Sequence, residues 1–150
     1  MDPGLTAYLD RVRAHRAELH DCVRALDDTL ATPLARAPWR ERVRAALAEL
    51  SSDLDVHIEL TDGPGGLYER LGQASPRLSG PLDRLRAEHA PLREAVQGFL
   101  AALESGEGAP ADLPAFREEV TVLVGRLIRH RQTGTDLVYE AYEVDLGGSE

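Results

Sequence analysis

Histidine supplies the groups in this chain whose type and spacing can do chemistry. There are five, His15, His20, His57, His89 and His130. Neutral imidazole is a good ligand for iron, zinc, copper or nickel. One imidazole on an apolar face is ordinarily satisfied by a single hydrogen bond. Several in one dry layer would repel if charged and lack acceptors if neutral, a conflict that a bound metal ion removes. Which case applies depends on where each ring points and at what level, and the surrounding elements set both.

Each residue of an α-helix advances by ~100°, so polar residues can be read against apolar ones on a wheel. Trp39, Val43, Ala46, Leu47, Leu50 and Leu54 define one face, and His57 falls within ~30° of its centre. His89 lies within ~25° of the middle of a face formed by Leu82, Leu85, Leu92, Val96, Phe99, Leu100 and Leu103. His130 is ~55° from the centre of the stripe Phe116, Val120, Leu123, Val124, Leu127, Val138 and Ala141. In the first helical stretch the stripe is Leu5, Tyr8, Leu9, Val12, Leu19, Val23, Leu26 and Leu30. His15 lies ~50° from its centre and His20 ~90° on the other side, so both are carried as candidates, His15 being the better aimed.

Punctuation bounds these stretches. Asp2-Pro3 opens the first helix and Thr32-Pro33 closes it. The second runs from Pro38-Trp39 to about Asp62, where Gly63-Pro64-Gly65-Gly66 stops it. Asp53 to Leu60 also alternates like a strand, but the helical stripe enters it unbroken and nothing else supplies a partner strand. Leu67 to Leu71 reads as a short extra helical turn ending at Ser75-Pro76. The third helix begins at Ser79-Gly80-Pro81, and Gly106 to Pro114 is a turn-rich connection with Asp112 as cap. The last helix runs from Pro114 past Ala141, with Gly134 expected to admit a bulge one turn later. Residues 144–150 read as a frayed tail.

The fold class expected is therefore all-α: one domain over residues 1–150, an up-down-up-down four-helix bundle with a short helical turn between the second and third long helices. A rise of ~1.5 Å per residue in alternating directions places His57, His89 and His130 ~10 to 13 Å from the same end, with His15 at ~15 Å and His20 a turn farther. The histidines converge on one layer.

Composition excludes several classes. The net charge of -9 and 5% aromatic content disfavour nucleic acid. No segment approaches the ~20 apolar residues of a membrane span, and the start lacks a signal-peptide pattern, so a cytoplasmic location is expected. All 17 basic residues are arginine, a mark of genome base composition, and they read as a solvated face with helical ion pairs such as Arg44 to Glu41. The lone Cys22 reads as a small core residue. No phosphate loop, nucleophile triad or Cys-x-x-Cys pattern is present.

One inward histidine per helix, the HIELTDGPGGLY segment at His57, RAEHAPL at His89 and HRQTGTDLVYEAYEVD at His130 together resemble the hemerythrin-like, or HHE cation-binding, domains. The resemblance spans nearly the whole chain. It implies a four-helix bundle holding a non-haem di-iron centre, with two iron ions on five histidines and two bridging carboxylates. Three positions depart from that pattern: Thr61, where the resemblance leads one to expect glutamate; Arg93, where a second histidine is common; and Thr135, where an aspartate is expected. The nearest substitutes are Asp62 and Asp136; an ideal helix would point Asp136 outward, and the local distortion that Gly63 and Gly134 allow could turn either in. Glu69, carried past the glycine turn, is a second candidate. Tyr68, Tyr139 and Glu140 read as rim or surface residues, with phenolate coordination by either tyrosine as the alternative. The candidate ligand set is thus His15 or His20 with His57, His89, His130, Asp62 and Glu69; spacing alone supports a borderline transition metal, and the resemblance supplies iron.

The expected function is a monomeric or weakly dimeric metal protein that meets oxygen, nitric oxide or peroxide inside the bundle. An incomplete ligand set leaves coordination positions open, which favours a di-iron oxidase or peroxide-decomposing enzyme over a pure oxygen carrier. The remaining alternative is a metal-free helical binding module.

Overall fold

Each apolar stripe becomes a buried face, and the bundle follows from pairing those faces. The computed structural model describes residues 3–34, 38–104 and 112–145. Its long helices are α1 (Pro3–Leu30), α2 (Trp39–Asp62), α4 (Ser79–Glu104) and α5 (Leu113–Tyr139), with the short α3 (Leu67–Ala74) and a 3₁₀ turn, Pro76–Leu78, between α2 and α4. α1 packs on α2 and α5, and α4 packs on the same two, which closes an up-down-up-down four-helix bundle. No strand occurs among the described residues.

Local chemistry accounts for the ends. The Asp112 carboxylate accepts from the Ala115 N–H at 3.0 Å, capping α5 with Pro114 in its first turn. α2 stops at Gly63, whose N–H still donates to Glu59 O. Gly65 then takes a φ of +69°, which only glycine adopts at little cost. A Cβ on Gly66 would lie 2.7 to 3.0 Å from the carbonyl oxygens of Gly63, Thr61 and Leu60, so the chain can double back tightly there only with glycine. That turn sets α3 beneath the end of α2.

One expectation is displaced. α5 runs unbroken through Gly134, and the chain widens into a π-turn only at Glu140–Asp145. The space beside Gly134 is open, and the α-helix continues through it without a bulge. The expected cap at Asp2, most of the Gly106–Pro114 connection and the tail beyond 145 lie outside the described residues.

The core is divided. One apolar cluster contains Leu19, Leu54, Leu92 and Leu127, and the other contains Val12, Leu67, Leu85 and Leu137. His15, His57, His89 and His130 stand between these two sets along their own helices. Trp39, Leu47 and Leu50 are wholly buried in the larger cluster, each contributing about 1.5–3 kcal/mol relative to exposure. Two apolar plugs thus enclose a polar layer. Cys22 lies half-buried at its margin; its thiol donates to Asp53 at 2.8 Å, and burial followed by that carboxylate pushes it up to about 12, an unreactive thiol. No helix among the described residues is long and apolar enough to cross a membrane.

Candidate metal centre

The four layer histidines are buried, and their rings touch in sequence. His15 stacks on His57 at 5.9 Å between centroids, and His57, His89 and His130 meet one another edge to face at 5.0 to 5.4 Å. One ligand nitrogen from each of His57, His89 and His130 can be chosen so that all three lie within 4.8 Å of one another. His57 Nε2 and His130 Nε2 are only 3.1 Å apart, hydrogen-bonded to each other.

Hydrogen bonding assigns the tautomers. His130 Nδ1 lies 2.7 Å from Glu88 Oε1, so its N–H donates to the carboxylate and Nε2 faces the layer. His15 Nε2, His57 Nδ1 and His89 Nδ1 are buried and have no hydrogen-bond partner. Three orphaned imidazole nitrogens in one dry layer are costly in a purely structural core. Burial keeps His57, His89 and His15 neutral. Burial, reinforced by His130, His89 and His15, holds the His57 pKa well below the usual histidine range. Burial and then His130 bring His89 down to about 4, with Asp62 opposing, and burial likewise lowers His15. Neutral imidazole is the ligating form.

This donor set fits one transition-metal ion. Two nitrogens each ~2.1 Å from an ion and ~90° apart are ~3 Å from each other, close to the His57–His130 separation. Among the described residues no carboxylate stands at the positions where the resemblance leads one to expect bridges for a second ion. Thr61 is buried and donates to His57 O on its own helix, Thr135 accepts from Arg16 at 3.1 Å, and Arg93 pairs with Asp55 at the surface.

The other sequence candidates are placed as follows. His20 is half-buried and outside the layer. Asp62 Oδ2 stands 3.7 Å from His89 Nδ1, beyond a hydrogen bond, while Oδ1 pairs with Arg86. Glu69 accepts from the Gly65 N–H at the exposed turn and does not enter the layer. Asp136 accepts from Gln132 on the outer face, Tyr139 is 60% exposed, and Glu140 pairs with Arg77. Tyr68, read as a rim residue, is instead wholly buried, with its hydroxyl 3.3 Å from His89 Nε2. Burial pushes its phenol up, so it stays protonated. Glu88 was missed; the signal was its place beside His89 on α4, within reach of α5.

A helical bundle that buries a level cluster of histidines belongs to the class of bundles built to hold a cation between their helices. The family model for the hemerythrin HHE cation binding domain matches residues 5–141, and the chain belongs to that family. Neither a curated protein nor a solved structure matches it.

Proposed function

We propose that this chain is a non-haem metal protein in which His57, His89 and His130, with His15 beside them, hold one transition-metal ion, iron by family, for use with oxygen, nitric oxide or peroxide. The observation that carries this reading is the 3.1 Å approach of His57 Nε2 to His130 Nε2, with Glu88 holding the far nitrogen of His130. When bound, such an ion supplies Lewis acidity and, for iron, one-electron chemistry. The protein's part is to keep His57, His89 and His15 neutral, orient His130 through Glu88, and hold the Tyr68 proton at the edge of the layer. Apolar packing on both sides limits water.

Three imidazoles leave coordination positions for an outside ligand. That favours an enzyme of the oxidase or peroxide-decomposing kind over simple storage.

The test is metal content by plasma mass spectrometry on untagged protein, with an absorption spectrum, for the native chain and His57→Ala. About one iron per chain, lost in the variant, is expected. Two irons would overturn the single-ion reading, and no metal with unchanged stability on chelation would leave a binding module.

A further inference from the structure

A cavity of about 260 Å³ opens between α1 and α5, walled by Leu9, Arg13, Arg16, Thr135, Val138 and Tyr142 among others. A second, much smaller cavity of about 20 Å³ shares Arg16, Thr135 and Val138 with it and is walled on its inner side by His15, His57, Thr61, Tyr68 and His130. The inner space has room for about one water. Arg16 and Thr135 therefore stand on the wall between an outer chamber and the histidine layer.

The charge at this wall is unusual for a chain of net charge -9. Arg16 is half-buried, with Arg13 and Arg131 close enough to repel it. Its hydrogen bond goes to a neutral hydroxyl, Thr135 Oγ1, at 3.1 Å, and no carboxylate of the described residues lies within ion-pair distance. Arg13 pairs with Asp10 far out in solvent. A partly desolvated guanidinium crowded by its own kind is a standing demand for an anion. The remaining wall is mixed: Leu9 and Val138 are aliphatic, while Thr135 and Tyr142 carry hydroxyls.

We propose that this outer chamber is a binding site for a small organic carboxylate, with Arg16 as its anchor, Arg13 at its rim and the aliphatic wall taking the ligand's apolar part. The chamber is partly open to solvent, and its enclosed part accommodates a small acid. Two neutral residues, Thr61 and Thr135, line the inner space at the positions where carboxylates were expected. An incoming carboxylate brings to Arg16 the negative charge that the chain withholds. This site stands on its own residues and does not require that the layer hold a metal.

The test uses chelator-treated, metal-free protein, with propionate and its neutral isostere propionamide as probes and inorganic phosphate as comparison, followed by amide NMR shifts and calorimetry. Propionate is expected to bind and to shift residues of α1 and α5, and propionamide is expected not to. Arg16→Gln, and Thr135→Asp, which tethers a competing carboxylate beside Arg16, are each expected to weaken propionate about tenfold or more, and Arg13→Gln by less. Circular dichroism establishes that the variants fold. Equal binding of propionate and propionamide, phosphate binding as tight as propionate, or native affinity in all three variants would overturn the proposal. Propionate binding by a chain that takes up no iron when iron is supplied sinks the metal reading alone, and iron uptake by a chain that does not bind propionate sinks this one alone.

Discussion

Glu88 reaches from α4 to α5 and accepts a hydrogen bond from His130 Nδ1 at 2.7 Å, although its own side chain is half-exposed. A carboxylate behind a ligating imidazole fixes the tautomer and raises ligand basicity. Glu88→Ala removes both effects without opening the core. Metal affinity is expected to fall about 10- to 100-fold with helicity unchanged. Competition against a fluorescent chelator measures it, and an unaltered affinity would place Glu88 outside the site's chemistry.

The metal-free layer makes stability depend on pH. Burial lowers His89 to about 4 and depresses His57 and His15, whereas all three return to ~6.5 in the unfolded chain. Between those limits the unfolded state binds protons that the native state refuses, so stability is present above about 6.5 and is lost as pH falls toward 4. Each such histidine contributes a slope of up to about 1.4 kcal/mol per pH unit. Urea midpoints of the metal-free protein are expected to drop from pH 7 to pH 5, and less in His89→Phe. A flat profile would contradict the burial of these rings.

How much of this was legible in the sequence depends on how far each residue acts from its own helix. His15, His57, His89 and His130 could be aimed and levelled from periodicity, because a ring's direction is fixed by its place on one wheel. Glu88 and Arg16 could not, because they act across to α5, and their meaning requires the order in which helices pack. Tyr68 and Glu69 are neighbours that the glycine turn sends opposite ways, one under His89 and one to the surface, and only the turn's dihedrals decide which.

That turn can be probed at Gly66. A methyl there meets three backbone carbonyl oxygens at 3.0 Å or less, which no side-chain adjustment relieves. Gly66→Ala is expected to cost about 1–3 kcal/mol and to shift α3, moving Tyr68 away from His89. Thermal melts give the cost. Tyr68→Phe keeps the ring and loses one hydrogen bond, so about 1 kcal/mol is expected from it. If Gly66→Ala left both stability and metal affinity intact, the turn would not be what positions Tyr68.

Thr61 offers the converse experiment, because it is buried beside His57 and its hydroxyl is spent on its own helix. Thr61→Glu puts a carboxylate into the layer. Without metal that charge is desolvated and faces orphaned imidazoles, so the metal-free protein is expected to lose several kcal/mol of stability and to melt at a lower temperature. With metal the carboxylate gains a cation to ligate. The rise in melting temperature on adding iron is therefore expected to be larger than in the native chain, since a ligand that binds only the folded state stabilises in proportion to its affinity. Scanning calorimetry with and without iron measures both temperatures. A variant whose melting temperature drops equally in the two conditions would show that position 61 does not face the ion, and the carboxylate-free, single-ion reading of the layer would lose its basis.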